Sequence, residues 1–272
     1  MKKEYFEIFS ACFPEYEMTQ KRFFDLMHKD SCLYYEIKED DEICAFAIVE
    51  DFAIRLLCVT PSKQGRGIGT RLIEQIEKEA KDRGFDKLIT GGVSSKLFIG
   101  APSESWRFFE KRGFVSEGGC DEMILDLNDF EFEKLSLHGS DIADYGWFDG
   151  DMKDIKAAVS LVDESWTQYF TKPENIYVGK VQGEIASFCM VDTNCQNYLT
   201  DKYGKVGMPG CVGTVPKFRD KGIALEMVAR ATRYLKTQGM DVSFIYYTGV
   251  PKWYEKIGYR TFLTECFGTK HL

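Results

Sequence analysis

The chain has 272 residues, 44% hydrophobic and 14% aromatic, which is enough apolar material for one large core or two ordinary ones and argues against a disordered chain. Its 43 acidic and 35 basic side chains leave a formal net charge of −8, which argues against broad capture of nucleic acid and is compatible with a small cationic acceptor. Nine cysteines without a C-x-x-C pair and three isolated histidines give no metal-site spacing; no secretory leader follows "MKKEYFEIF", and no apolar run reaches the roughly 18 residues of a membrane span. The expectation is a reducing cytoplasm, with no metal, no membrane and no nucleic-acid partner.

In chain order, residues 3–12 and 19–28 have helical apolar spacing. "LYYEI" (33–37), the break "KEDD" (38–41) and "EICAFAIVE" (42–50) predict a β-hairpin. A further apolar strand runs into "VTPSKQGRGIG" (59–69). An amphipathic helix pattern follows and stops at "DRGFDKLIT" (82–90), where glycine ends the helix and the chain re-enters a sheet. "GGVSSKLFIGAP" (91–102) reads either as a pocket-lining loop or as a plain connection. "FFEKRGF" (108–114) closes the first half.

The second half repeats this order. A helical pattern covers 154–170, and "NIYVGK", "VQG" and "EIASFCMVD" (184–192) form a second predicted hairpin. "TVPKFRDKGIA" (214–224) matches 59–69, "TQGMDVSFIYY" (237–247) matches the helix stop and strand, and "WYEKIGY" (253–259) matches 108–114. Matching blocks are offset by 142, 155 and 145 residues. The second half therefore carries about 13 extra residues before its glycine loop and about 10 fewer after its late strand, changes that belong in loops. Two copies of one α/β unit are expected: residues 1–130, a linker at 131–145 within or after "NDFEFEKLSLHGSD" (128–141), and residues 146–272. The short passage from "FIYY" to "WYEK" leaves less chain for a helix there.

Each glycine loop joins a strand to a helix. The first amides of such a helix lack intrahelical partners, the macrodipole adds positive potential, and glycines leave the backbone open, which together suit a phosphate. Arg66 in one half, and Arg219 and Lys221 in the other, add charge for a diphosphate. Neither half has the Walker pattern, and Thr70 stands where a third Rossmann glycine belongs. On this ground alone a tight turn remains an equal alternative.

Gln64-x-x-Gly67-x-Gly69 and Arg219-x-x-Gly222-x-Ala224 resemble the Q/R-x-x-G-x-G/A signature of the GNAT superfamily of acyl-CoA-dependent N-acyltransferases. Val59-Thr60-Pro61 before the loop and Glu-Lys-x-Gly-aromatic at Glu110–Phe114 and Glu255–Tyr259 resemble it too. The resemblance implies an α/β fold of two GNAT-type domains, each a mixed, mostly antiparallel splayed sheet flanked by helices. It implies acetyl-CoA as cosubstrate, with its diphosphate on Gln64, Gly65, Arg66, Gly67, Ile68, Gly69 and Thr70. In the second half the corresponding residues are Arg219, Asp220, Lys221, Gly222, Ile223 and Ala224, with amides as far as Leu225. A strand-end amide polarises the thioester near Cys58 and Val59, or near Gly213, Thr214 and Val215.

The resemblance also implies a tyrosine acid for the leaving thiolate. Tyr254 occupies that position, whereas Phe109 in the first half has no proton to give. Asp220 places a negative charge in the second loop, so the better cradle and the better acid fall in different halves. Glu50, Asp51 and Asp192 are carboxylates at hairpin ends that read mainly as solvated surface, and none is assigned as general base. The expected activity is acetyl transfer to the amine of a small molecule. The alternatives are a non-catalytic acyl-CoA binder or sensor, or one active and one degenerate domain acting on a protein or peptide amine.

Overall fold

The computed structural model describes residues 1–91 and 97–272, so part of the loop 91–102 lies outside the described residues. The chain forms two compact units that are not its two contiguous halves. Unit 1 comprises Met1–Cys120, Asn197–Lys202 and Leu263–Leu272; unit 2 comprises Asp121–Gln196 and Tyr203–Phe262. Among the described residues there are eight α-helices and mostly antiparallel strands.

The first repeat contains α1 (Lys3–Cys12), α2 (Gln20–Met27), β1 (Leu33–Glu39), β2 (Glu42–Glu50), β3 (Ala53–Val59), α3 (Ile68–Asp82), β4 (Lys87–Thr90), β5 (Ala101–Pro102), α4 (Trp106–Glu110) and β6 (Val115–Asp126). Asp40 and Asp41 turn the β1–β2 hairpin with φ of 53° and 66°. Positive φ at both central positions matches the twist of the flanking strands, and Asp tolerates it better than most residues. Strands β1, β2 and β3 pair antiparallel, and among the described residues β3 pairs β4 in parallel at Ala53↔Ile89 and Ile54↔Thr90. β3 itself runs on to Val59. Helix α3 buries Ile68, Leu72, Ile73, Ile76 and Ala80 against Ala45, Ala47, Val49 and Ile54. Each such Leu or Ile contributes about 1.5–3 kcal/mol by leaving water.

The second repeat contains β7 (Asp144–Trp147), α5 (Met152–Ser160), β8 (Ile176–Val181), β9 (Glu184–Asp192), α6 (Thr200–Tyr203), β10 (Val206–Thr214), α7 (Ile223–Thr237), β11 (Val242–Thr248), α8 (Pro251–Glu255) and β12 (Arg260–His271). The single helical pattern expected over 154–170 is divided. α5 ends at Ser160, and a separate 3-10 turn at Glu164–Gln168 starts where the Asp163 carboxylate accepts Ser165 N at 2.9 Å. The late helix is not shortened either: α4 and α8 each have five residues. The parallel β10–β11 ladder is again brief, at Val206↔Val242 and Gly207↔Ser243, and β10 splays beyond it. Residues 131–145 hold two 3-10 turns, and Ser140 N in the second donates to Glu226 Oε2 at 2.8 Å.

Each unit completes its sheet with a strand from the other repeat. In unit 1, β12 pairs with β4 at Thr269↔Ile89 and with β5 at Glu265↔Pro102. In unit 2, residues 121–126 of β6 pair with β11 at Ile124↔Phe244 and Leu125↔Ser243. The extra residues before the second glycine loop also belong partly to unit 1. Tyr198 is 1% exposed with its ring 5.4 Å from Tyr16, and Asp201 accepts from Thr19 N and Oγ1, both at 2.8 Å, and from Arg22 Nη2 at 3.1 Å.

Candidate active site

Both glycine loops take the same backbone course. Gly65 and Gly67 have φ of 75° and 79°, and Asp220 and Gly222 have φ of 61° and 74°. Gly67 and Gly222 are the residues from which α3 and α7 start, and neither helix has a side-chain cap. Successive main-chain N–H groups in such a left-handed bend form an anion-binding concavity at the helix N-terminus. A Cβ built at Gly65 or Gly67 meets nothing within 4 Å, so the space above the first loop is open. Gly69 is bare for another reason: its Cβ would come within 2.8 Å of Phe108 Cε2. The glutamine and arginine of the signature, both exposed, close the turn onto the end of the preceding strand. Gln64 Nε2 donates to Val59 O at 3.0 Å, and Arg219 Nε donates to Thr214 O at 3.3 Å.

Those carbonyls mark the unpaired side of each strand. Thr60 N donates to Cys44 O at 2.9 Å and Val215 N to Ala186 O at 3.0 Å, so these amides are taken by the hairpin. Strand alternation then turns the N–H groups of Val59 and Thr214 to the open notch. In unit 1 a cavity of 530 Å³ is lined by Cys12, Leu57, Cys58 and Val59 and by Gln64, Gly65, Gly67, Ile68 and Gly69 of the loop. Phe109 closes it, packed edge-on against Phe108 and Phe114. Arg66 is exposed and Thr70 is turned toward Arg112; neither lines the cavity.

In unit 2 the corresponding cavity, 410 Å³, is lined by Gly213, Thr214, Arg219, Asp220, Lys221, Gly222, Ile223, Ala224 and Tyr254; Val215 is not on its wall. Tyr254 is 6% exposed and packs edge-on against Trp253. Burial pushes its hydroxyl well above the usual tyrosine range, with Tyr259 and Cys189 adding to the effect, so the phenol keeps its proton at neutral pH. The final aromatic of the motif, Tyr259, is fixed by hydrogen bonds to Ser243 Oγ at 2.6 Å and Thr232 Oγ1 at 2.9 Å.

Arg112 had no place in the sequence reading, although it is the variable residue of "EKRG". It lies 3.7 Å over the Phe108 ring, donates through Nε to Thr70 Oγ1 at 3.0 Å and lines the unit 1 cavity, where it adds positive charge beside the loop. The second repeat has buried Ile257 there. Glu50 is engaged rather than free: Lys29 Nζ donates to it at 3.1 Å, Ser31 Oγ at 2.8 Å, and Arg55 Nη1 lies 3.6 Å away. Asp192 accepts Asn194 N at 2.8 Å. Among the described residues no three His, Cys, Asp or Glu side chains gather as a metal site, and no helix is long and apolar enough to cross a membrane.

A model described as the acetyltransferase (GNAT) family matches residues 1–114, and one described as an acetyltransferase (GNAT) domain matches residues 147–262. No curated protein matches the sequence. A GCN5-related glucosamine N-acetyltransferase region of a fungal multi-domain GH3 β-N-acetylglucosaminidase superimposes with a TM-score of 0.76 at 19% identity. That match covers 98% of this chain but 36% of the fungal one, so this chain spans about a third of that enzyme's length. A GCN5-related N-acetyltransferase from Sphaerobacter thermophilus gives 0.67 at 16% identity, covering 97% and 90% of the two chains. A tandem GNAT protein from the clavulanic acid biosynthesis pathway gives 0.56 at 11%, covering 92% and 94%. At these identities the likeness is one of fold.

Proposed function

Both repeats match GNAT models, so the chain belongs to the GNAT acetyltransferases, and from that premise we propose that it transfers an acetyl group from acetyl-CoA to the amine of a small molecule. The observation that carries this reading is the pairing, in each unit, of an uncapped helix N-terminus behind a left-handed bend with a cavity beside the splayed strand. Loop amides and helix dipole suit the diphosphate of acetyl-CoA, and the open strand side suits its amide-bearing arm. The thioester supplies the activated acetyl group.

In unit 2 the protein's part in the reaction is divided between two groups. The outward N–H of Thr214 is available to the thioester oxygen as charge builds there, and Tyr254 holds a proton for the departing sulfur. The attacking amine must arrive neutral. Among the described residues Asp220 is the one carboxylate that lines this cavity, and the reading leaves deprotonation to water or to the acceptor's own equilibrium.

A second reading applies to unit 1 alone: it binds acyl-CoA without direct transfer to an amine, because Phe109 has no proton to give. Thiol release from acetyl-CoA, measured with the full chain over a panel of small amines, tests the proposal. Gly67→Glu and Gly222→Glu assign turnover to one unit or the other. Acetyl-CoA binding that survives both substitutions in a folded protein would overturn the assignment of the loops.

A further inference from the structure

The stretch 91–102, by sequence either a pocket wall or a plain connection, has no part in the transfer steps above. Residues 91–105 lead from β4 to α4, whereas residues 249–250 lead from β11 to α8, so the stretch is peculiar to the first repeat. In its described part Leu97, Phe98, Ile99 and Ala101 are all buried. Phe98 and Ala101 border a second cavity in unit 1, of 40 Å³. Phe13, Leu57, Ser105 and Phe109 line both this cavity and the one at the glycine loop, so the two adjoin. The larger cavity follows β3 from the loop to Leu57, and the smaller follows the same strand from Leu57 back to Ile54. A CoA arm that starts at the loop and runs along β3 therefore brings its acyl end to the smaller chamber.

The chamber suits a small apolar group. Phe13, Leu57, Phe98, Ala101 and Phe109 offer it carbon surface. Two polar residues on its border are engaged elsewhere: Thr90 Oγ1 accepts from Gly268 N at 3.0 Å, and the Arg55 guanidinium donates to Leu26 O and Met27 O, both at 3.2 Å. A water occupies about 30 Å³ in the liquid, and a methyl group is of similar size. The 40 Å³ chamber therefore admits the methyl of an acetyl group but not the further methylenes of a butyryl group.

Its wall is held from behind. The Glu265 carboxylate accepts Ile99 N at 3.0 and 3.1 Å, and Ala101 pairs with Cys266 of β12. The Phe98 ring lies 5.1 Å from that of Phe13 and 5.2 Å from that of Tyr16, and buried Tyr198 backs Tyr16 at 5.4 Å. A wall packed on both sides yields little to a longer chain.

We propose that Phe98, carried by the stretch peculiar to the first repeat, sets the acyl group that unit 1 accepts: acetyl enters the chamber, and butyryl and longer chains do not. The proposal rests on the acyl-CoA reading of the preceding section.

The test needs no acceptor amine. Calorimetric titrations with CoA, acetyl-CoA, butyryl-CoA and malonyl-CoA use the full-length Gly222→Glu protein, which confines binding to unit 1, or the unaltered chain with its two sites fitted separately. Acetyl-CoA should bind at least about tenfold more tightly than butyryl-CoA, the scale on which an apolar pocket rejects an extra methylene. Phe98→Ala should raise the affinity for butyryl-CoA by about tenfold or more and leave that for CoA unchanged, because the loop is untouched. Phe98→Leu makes the same comparison with a smaller loss of packing. Ala101→Val, which narrows the chamber, should bring acetyl-CoA down to the affinity of CoA. Equal affinities for acetyl-CoA and butyryl-CoA overturn the proposal and leave the acyl-CoA reading standing. An unchanged preference in a folded Phe98 variant does the same. Tighter binding of malonyl-CoA than of acetyl-CoA also overturns it, since the chamber would then serve a carboxylate held by Arg55, whose buried Nε has no partner among the described residues. Failure of every CoA compound to bind unit 1 overturns the reading and the proposal together.

Discussion

Glu265→Gln should remove a pH dependence from the stability of unit 1. Glu265 lies on β12 and is 0% exposed, and Ile99 N donates to its two carboxylate oxygens at 3.0 and 3.1 Å. Burial lifts its pKa from 4.5 to about 7, against the opposing pull of the Gly100 and Ile99 amides and the Cys120 thiol. The native state therefore holds the carboxyl proton more tightly than the unfolded chain, which releases it near 4.5. Between these values the native state carries more protons, so the unfolding free energy falls as pH rises. The contribution is fully present below pH 4.5 and lost once pH passes about 7. Its size is about 3 kcal/mol. Glutamine has no proton to exchange and keeps one acceptor oxygen, so its effect is an offset independent of pH. Urea unfolding of the full chain at a series of pH values, with hydrogen exchange at Ile99 and Gly100 as the local report, measures the difference between the two curves. Parallel curves for wild type and variant would refute the reasoning.

Tyr254→Phe should leave the melting temperature nearly unchanged and lower kcat by about 10²–10⁴, with little effect on KM for acetyl-CoA; steady-state kinetics with an identified amine measure it. Gly69→Ala should destabilise by about 1–3 kcal/mol through overpacking on Phe108, whereas Gly67→Ala should lose about 1–2 kcal/mol through its positive φ. Phe108→Leu should then relieve the first variant and not the second, a contrast that denaturation of the double mutants reads directly. Asp201→Ala removes one acceptor from Thr19 N, Thr19 Oγ1 and the Arg22 guanidinium and should cost about 1–3 kcal/mol, visible as faster hydrogen exchange at Thr19.

The repeat, both hairpins and both glycine loops were legible because each is written in local pattern. Asp40-Asp41 and Gln182-Gly183 are turn residues between apolar runs, and Gly67 and Gly222 sit where an apolar strand gives way to helical spacing. The division of 154–170 was missed because the apolar spacing continues through Asp163, whose capping role depends on which amide its carboxylate meets. The strand exchange has no local signature: β6 and β12 have the composition of strands wherever they pair, and the choice of partner is made by distant residues. Tyr198 and Asp201 read as parts of a surface insertion for the same reason. Cys12 drew no attention because nothing near it in the sequence announces a site; only the packing of α1 on β3 brings its thiol to Val59 O. Arg112 did carry a signal, a charge in a motif position that is apolar in the other repeat.

The crossing of β6 and β12 between repeats has a consequence for synthesis. A ribosome makes residues 1–120 first, yet the strand that pairs with β4 and β5 is translated after all of unit 2. At about 5–20 residues per second, unit 1 waits many seconds with the edge of β4 unpaired. Unit 2, although begun later, receives its borrowed segment 121–126 before the rest of its chain is made. The order of completion thus reverses the order of translation, and a premature stop within β12 would strike the unit encoded first.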